Sequence, residues 1–332
     1  MILSTQAVRA AAGALQQISE TTPGERGRRA SIVALVLRSV EQTLCEESEA
    51  GFMCLRAERE VEGLEAGAER GLLLRLLRLV ADGEGNEVAE VLSDYAAGLE
   101  EARRLPEADA VMTLALALGP ERAELALRAG RIARLLGDRE RALVLYGVAR
   151  ELDGGDGSIA RLAAIGEAVV DQTPEFSLSA AIRRAVEADD NEAAAVGLEE
   201  RARVRRRLGS RSAAARDLGF AAVRYSDAVD RARVAHQLAD LFVASDDPQA
   251  AREALLFALH TGDRSQRDHA RARLHTVSRD LGDQVGMRRW RSFKPQTLVS
   301  LSAGSAVPPS ESAAPAMARW RERVEALVAL TN

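Results

Sequence analysis

A chain of 332 residues that is 47% hydrophobic and 29% charged has the apolar content for a packed core, which excludes an intrinsically disordered polypeptide. Its 11 aromatic residues are only 3% of the chain, so the core has to come from Leu, Ala and Val. The net charge of −5 hides a cancellation. Residues 1–100 and 101–200 each carry −7, whereas residues 201–332 carry +9, and all but one of the 45 basic residues are arginine.

In chain order, Met1 to Gln6 shows no charged stretch leading into an apolar one, so no signal peptide is expected. Cys45 and Cys54, the only cysteines, match neither a redox pair nor a zinc knuckle, and free thiols in a reducing cytoplasm are expected. The most apolar run, Leu72 to Val80, is interrupted by Arg75 and Arg78. It is far shorter than the roughly 20 residues that span a bilayer, so no membrane association is expected.

Apolar residues recur at three- and four-residue spacing throughout, as in Leu125, Ile132, Leu135 and Leu136, or Val234, Leu238, Leu241 and Phe242. That spacing predicts amphipathic helices, which the abundance of Ala, Leu, Arg and Glu favours. Pro106, Pro120, Pro174 and Pro248 are expected at first helical positions, the last two behind the cap residues Thr173 and Asp247. Tight turns recur at Gly119-Pro120, Gly137-Asp138, Gly154-Gly155-Asp156-Gly157, Asp189-Asp190, Gly209-Ser210, Asp246-Asp247 and Gly282-Asp283. About sixteen helices joined so closely must pack as antiparallel neighbours, a stacked array rather than one bundle.

An internal period supports the array. The segment Ala142-Leu143-Val144-Leu145-Tyr146-Gly147-Val148-Ala149 is echoed by the segments Ala214 to Ala221 and Ala251 to Ala258. Ala149 and Ala221 are two periods of 36 residues apart, and Ala258 follows Ala221 by 37. The stretch Ala126 to Ala149 resembles a tetratricopeptide repeat. Gly130 matches the family's small residue in the first helix, Gly137 its turn glycine, and Ala142, Tyr146 and Ala149 the small, large, small pattern of the second. Ala126 and Gly154 depart from the family's frequent tryptophan and proline. The resemblance is clearest over 121–153, continues weakly to about 293, and implies a right-handed all-α solenoid used as interaction scaffolding.

The expected organisation is an amino-terminal helical region over 1–105, tetratricopeptide-like repeats over 106–294, a Pro/Ser-rich linker over 295–314 and an amphipathic helix over 315–332. In that last segment Met317, Trp320, Val324, Leu327 and Val328 share one face. It is expected to cap the array, to dock on a partner or to mediate oligomerisation.

A search for chemistry yields no catalytic site. The glycine cluster at 154–157 lacks a preceding strand and a following lysine, so it reads as a turn. His236, His260, His269 and His275 lack the spacing of a zinc site, and His236 with Asp240 reads as a surface pair. No serine sits at a strand–turn–helix elbow. Acids four residues from arginines, such as Glu199 and Arg203, read as a solvated helix surface. No enzyme activity, cofactor or metal is expected.

Binding is the leading expectation, through first-helix side chains Arg128, Arg131, Arg134, Arg231, His236 and Gln237 and the carboxy-terminal Trp320, Val324 and Leu327. The partner is a protein or peptide, with an acidic one suiting the basic end. Two alternatives stand beside it. One is nucleic-acid binding along Arg201, Arg203, Arg205, Arg206, Arg207 and Arg211, with Arg288, Arg289, Trp290 and Arg291. The other is a regulatory or sensor module of a larger multi-protein system.

Overall fold

The computed structural model describes residues 2–44, 50–64, 67–82 and 85–291. Among them are sixteen helices and no strand. They form two compact units, Met1–Val170 and Asp171–Asn332. The first contains α1 (Ile2–Thr21), α2 (Glu25–Leu44), α3 (Ala50–Glu62), α4 (Ala68–Asp82), α5 (Gly85–Glu101), α6 (Leu105–Leu118), α7 (Ala123–Leu136), α8 (Arg139–Leu152) and α9 (Ser158–Val170). The second contains α10 (Pro174–Glu187), α11 (Asn191–Arg207), α12 (Arg211–Arg224), α13 (Ala228–Val243), α14 (Pro248–Thr261), α15 (Arg264–Asp280) and α16 (Gln284–Arg291). No described helix is long and apolar enough to cross a membrane.

Within each unit consecutive helices pack against each other, as the short connections require. The second unit follows this rule from α10 to α16, with α13 also touching α15. In the first unit α1 also packs on α6, so its first six helices close around a shared core that includes Val8, Leu15, Leu37, Leu92 and Met112.

Local chemistry sets the ends. The side chains of Asp138, Asp190, Asp227, Asp247 and Asp263 each accept a hydrogen bond from a backbone N–H of the following first turn. Pro106, Pro174 and Pro248 stand in first turns as expected. Pro120 does not: it lies in the turn before α7, which starts at Ala123. Thr173 precedes α10 without making a side-chain cap. Gly154 and Gly155, both at positive φ, form the α8–α9 turn rather than a phosphate loop.

Small residues set the spacing between helices. Ala142 and Ala149 are fully buried, and the buried Tyr146 ring lies between Gly130 of α7 and Gly166 of α9. A Cβ on Gly130 would stand 2.8 Å from the ring, and one on Gly166 2.5 Å. The period is more complete in the structure than in the sequence reading. Ala185, fully buried, falls 36 residues from both Ala149 and Ala221, and Ile182 and Leu218 stand where Tyr146 does. Gly130 and Gly166 continue as the buried Ala202 and Ala239, one methyl larger, in pairs whose bulky residue is aliphatic. Leu125 and Ile132 are buried as the spacing predicts, but Leu135 and Leu136 are exposed at the end of α7.

Gly130→Ala is expected to destabilise the protein by about 1–3 kcal/mol, because overpacking against the ring outweighs the roughly 1 kcal/mol helix-propensity gain. Adding Tyr146→Leu should recover part of that loss in urea melts. Asp246 adopts the left-handed region at φ 57°, so Asp246→Gly should raise stability by up to about 1 kcal/mol.

Candidate interaction surface and its ionic framework

Glu199, on the first helix of its pair, is 3% exposed. An ionised carboxylate there must be met by donors, since an unpaired buried charge is very costly. Arg233 of α13 supplies Nη1 and Nη2 at 2.6 and 2.9 Å, one to each oxygen. Arg203 Nη2 donates at 2.6 Å, Tyr225 Oη at 2.9 Å and Gln237 Nε2 at 3.1 Å. Arg233 also lies 5.7 Å from the centre of the Tyr225 ring. The carboxylate thus joins α11 to the end of α12 and to α13.

Burial by itself would raise the Glu199 pKa; the hydrogen bonds and charge of Arg233, with Arg203 and Gln237, overcome this and hold it at about 2. Burial and the Glu199 charge push the Tyr225 hydroxyl well above its ordinary value. Burial works against the Arg233 cation, but Glu199 raises its pKa further. These groups stay in fixed charge states at neutral pH, as a framework requires.

A second buried acid, Asp217 of α12, is 1% exposed. Arg201 grips it with Nη2 at 2.8 Å and Nε at 3.0 Å, and Arg205 Nη1 adds 3.0 Å. The same two arginines reach back to α10, to Ser179 Oγ at 3.0 Å and Glu175 at 2.8 Å. The densest basic run is therefore divided by helical geometry. Arg201 and Arg205, four apart, fasten α11 to α10 and α12, while Arg203, between them, turns to Glu199. Arg211 donates to the Ala244 carbonyl at 2.7 Å. Arg206 and Arg207 are exposed and make no ion pair among the described residues.

The first unit carries the same motif on different helices. Glu107 of α6 is fully buried and receives Arg26 Nε at 2.9 Å and Nη2 at 3.0 Å, with Arg104 Nε at 3.3 Å. Burial opposes its ionisation, but the Arg26 hydrogen bonds lower its pKa. Arg104 also bonds Glu69 of α4, which takes Arg29 of α2 and the Tyr95 hydroxyl of α5. Tyrosine-to-glutamate and forked arginine contacts thus recur in both units as a way of joining helices.

The other sequence-selected residues are dispersed. Arg128 donates to the Ser93 carbonyl at 2.8 Å and hydroxyl at 2.6 Å, and Arg131 pairs with Glu100 at 2.8 Å. Arg134 is half-buried on α7. Arg231 donates to the Ser226 carbonyl at 2.9 Å. Gln237 belongs to the Glu199 network. Asp240 does not pair with His236, as the sequence suggested, but with Arg273 of α15. Nor is Glu199 part of a solvated surface: its i,i+4 partner Arg203 was legible, but Tyr225, Arg233 and Gln237, which meet its buried carboxylate, lie outside the local pattern. Arg233 and Tyr225 gave no separate signal.

Cys54 is half-buried. On α16 Arg288 is exposed and Trp290 half-buried. The side chains of Arg289 and Arg291, together with Cys45, the 295–314 segment and Trp320, Val324 and Leu327, lie outside the described residues. Among the described residues no three His, Cys, Asp or Glu side chains gather to hold a metal.

One surface feature differs from the ionic framework. A cleft of about 600 Å³ in the second unit is lined by Gln172, Thr173, Pro174, Glu175, Phe176, Ser179, Val204 and Leu208. Phe176 is 77% exposed and Leu208 65%.

These features define an all-α protein of stacked, consecutive helix pairs. No protein-family model matches the chain. No curated protein matches it either. Among solved structures it is similar to a chain in the crystal structure of the APC/C hetero-tetramer Cut9–Hcn1. The identity is 13% and the TM-score 0.21, over 77% of this chain and 66% of that one, so the chain spans just under two thirds of that protein's length. The fold class rests on the helices of the chain itself.

Glu199→Gln is expected to destabilise the second unit by about 3–5 kcal/mol, because Arg233 and Arg203 lose their buried counter-charge. The depressed Glu199 pKa makes its contribution complete above the ordinary carboxylate value near 4.5, and that contribution is lost as pH falls toward 2. Urea melts at pH 5 and pH 3 should therefore differ more for the wild type than for Glu199→Gln.

Proposed function

We propose that this chain is a non-catalytic scaffold that captures a protein or peptide on the surface of its helix pairs. The carrying observation is the cleft beside α10 and α11. In a chain with 11 aromatic residues, Phe176 stands 77% exposed next to Leu208 and Val204. Exposed aromatic and aliphatic side chains in a concave site are what a partner's apolar anchor buries, and such anchors dominate binding energy. The ionic framework supports the reading from another side. Glu199, its pKa held at about 2, and Tyr225, held protonated, are poorly suited to proton transfer at neutral pH. The resemblance to tetratricopeptide repeats, where it is clearest, points to the same class.

Within the second unit, Arg231, half-buried on the first helix of its pair, is the residue of this reading that extends recognition beyond the cleft. A protein partner with carboxylates flanking an apolar anchor fits both features. The finer assignments, a cytoplasmic location and oligomerisation through residues 315–332, belong to this reading as well.

A capture experiment from lysate with mass spectrometry, comparing the full chain with Phe176→Ser/Leu208→Ser, tests it. The double variant is expected to lose its specific partner by about tenfold or more, with stability within about 0.5 kcal/mol of wild type as for other surface changes. Equal capture by both proteins would remove the cleft from the reading. Fluorescence anisotropy with single-stranded and duplex nucleic acids at low salt should show no binding. Binding that falls steeply with salt and is lost in Arg206→Gln/Arg207→Gln would replace the scaffold by the nucleic-acid alternative.

A further inference from the structure

The rings of His236 on α13 and His269 on α15 meet edge to face, with centroids 4.9 Å apart and planes at 62°. His236 Nε2 lies 3.2 Å from the Gln266 carbonyl oxygen, which can only accept, so Nε2 carries the proton. Nδ1 is then the ring's lone pair. Arg273 Nη1, also from α15, sits 3.5 Å from it and 3.3 Å from the His236 carbonyl oxygen. Arg273 Nη2 turns to Asp240, one helical turn along α13 from His236. α13 and α15 are not consecutive; α14 packs against both, and these contacts, with Gln266 Nε2 donating to the Val229 carbonyl at 3.0 Å, form the polar part of their seam.

We propose that this seam is an acid-sensitive joint of the second unit, in which a second proton on His236 parts α15 from α13. The proton would enter at Nδ1, where Arg273 already presents an N–H. Donor would face donor, and cation would face cation. The His269 ring, edge to face against the first, gives the incoming proton no acceptor to pair with in that contact. The carboxylate that faces this group, Asp240, is 62% exposed and already engaged by Arg273, so it compensates little. Among the described residues α12 and α14, the other helices against α13, give the ring no hydrogen bond or ion pair. The buried face of α14 is Ala251, Ala254, Leu255, Phe257 and Ala258, none of which titrates, so it can serve as the common support while the seam opens.

The sign follows from the surroundings. Burial, then the neighbouring His269 and Arg273, lowers the His236 pKa against the opposing effects of the Gln266 carbonyl and Asp240. The closed seam therefore favours the neutral ring. Its contribution is complete above the ordinary histidine value of about 6.5 and is lost as pH falls through the lowered one. This joint stands independently of which partner the protein binds.

Hydrogen–deuterium exchange on the full chain at pH 7.5 and 5.0, corrected for the intrinsic pH dependence of exchange, reads the opening segment by segment. The amides of α15 are expected to lose protection severalfold at pH 5.0, while those of α11 keep theirs. His236→Gln should abolish the response, because a glutamine amide can donate to the Gln266 carbonyl and accept from Arg273 yet does not titrate. No loss in the wild type, the same loss in His236→Gln, or simultaneous loss in α11 and α15 would overturn the joint. Should His236→Gln fail to fold, an NMR titration of the unaltered chain decides. A His236 midpoint below about 6.5 is expected, and one at or above it would sink the proposal.

Discussion

An ionised carboxylate inside an array of apolar helices has to be answered by a cation from a neighbouring helix, and much of this protein's specificity of packing follows from that constraint. Glu199 and Asp217 in the second unit, and Glu107 in the first, are each nearly or fully buried and each gripped by a forked arginine. Such pairs add less net stability than their count suggests, since desolvation offsets much of the attraction. What they supply is selectivity: a slipped helix would leave a buried charge without a partner. Arginine suits the task, because its planar fork meets both carboxylate oxygens and remains charged when half-buried.

Between those ionic contacts the helices are set by size. A core built from alanine gains little from each side chain, so helices must approach closely for dispersion to accumulate. Gly130 and Gly166 make room for one tyrosine, and Ala202 and Ala239 replace them further along the period. The seam between α13 and α15 is the exception: beside the ion pair of Arg273 with the largely exposed Asp240, it is joined through a neutral histidine rather than a buried carboxylate. That difference makes one place respond to mild acid in a framework whose buried carboxylates are protonated only at much lower pH.

Much of the local structure was legible in the residues. The three- and four-residue spacing and the turn glycines gave about sixteen helices and their tight connections, and of the five aspartate caps only Asp247 was legible as a cap. The buried Ala142, Tyr146 and Ala149 and the positive φ of Gly137 followed from the repeat pattern. Pro120 failed as a helix start because the chain makes a further turn before Ala123, a choice that a proline two or three residues either side would equally permit. The basic run was visible as charge and Arg203 with Glu199 as an i,i+4 pair, but the hold of Arg201 and Arg205 on Asp217 and Glu175 was not, because those acids come from other helices.

The sequence alone determined the helical class, most of the tight turns and the spacing of Ala149, Ala221 and Ala258, because those depend on contacts within a turn or between adjacent segments. Only the tertiary structure decided which charges are buried, which arginines remain available, and that His236 faces Arg273 rather than Asp240. A glutamate four residues from an arginine has the same local pattern at a surface and in a core. Its environment is set by residues more than thirty positions away, as Arg233 is from Glu199.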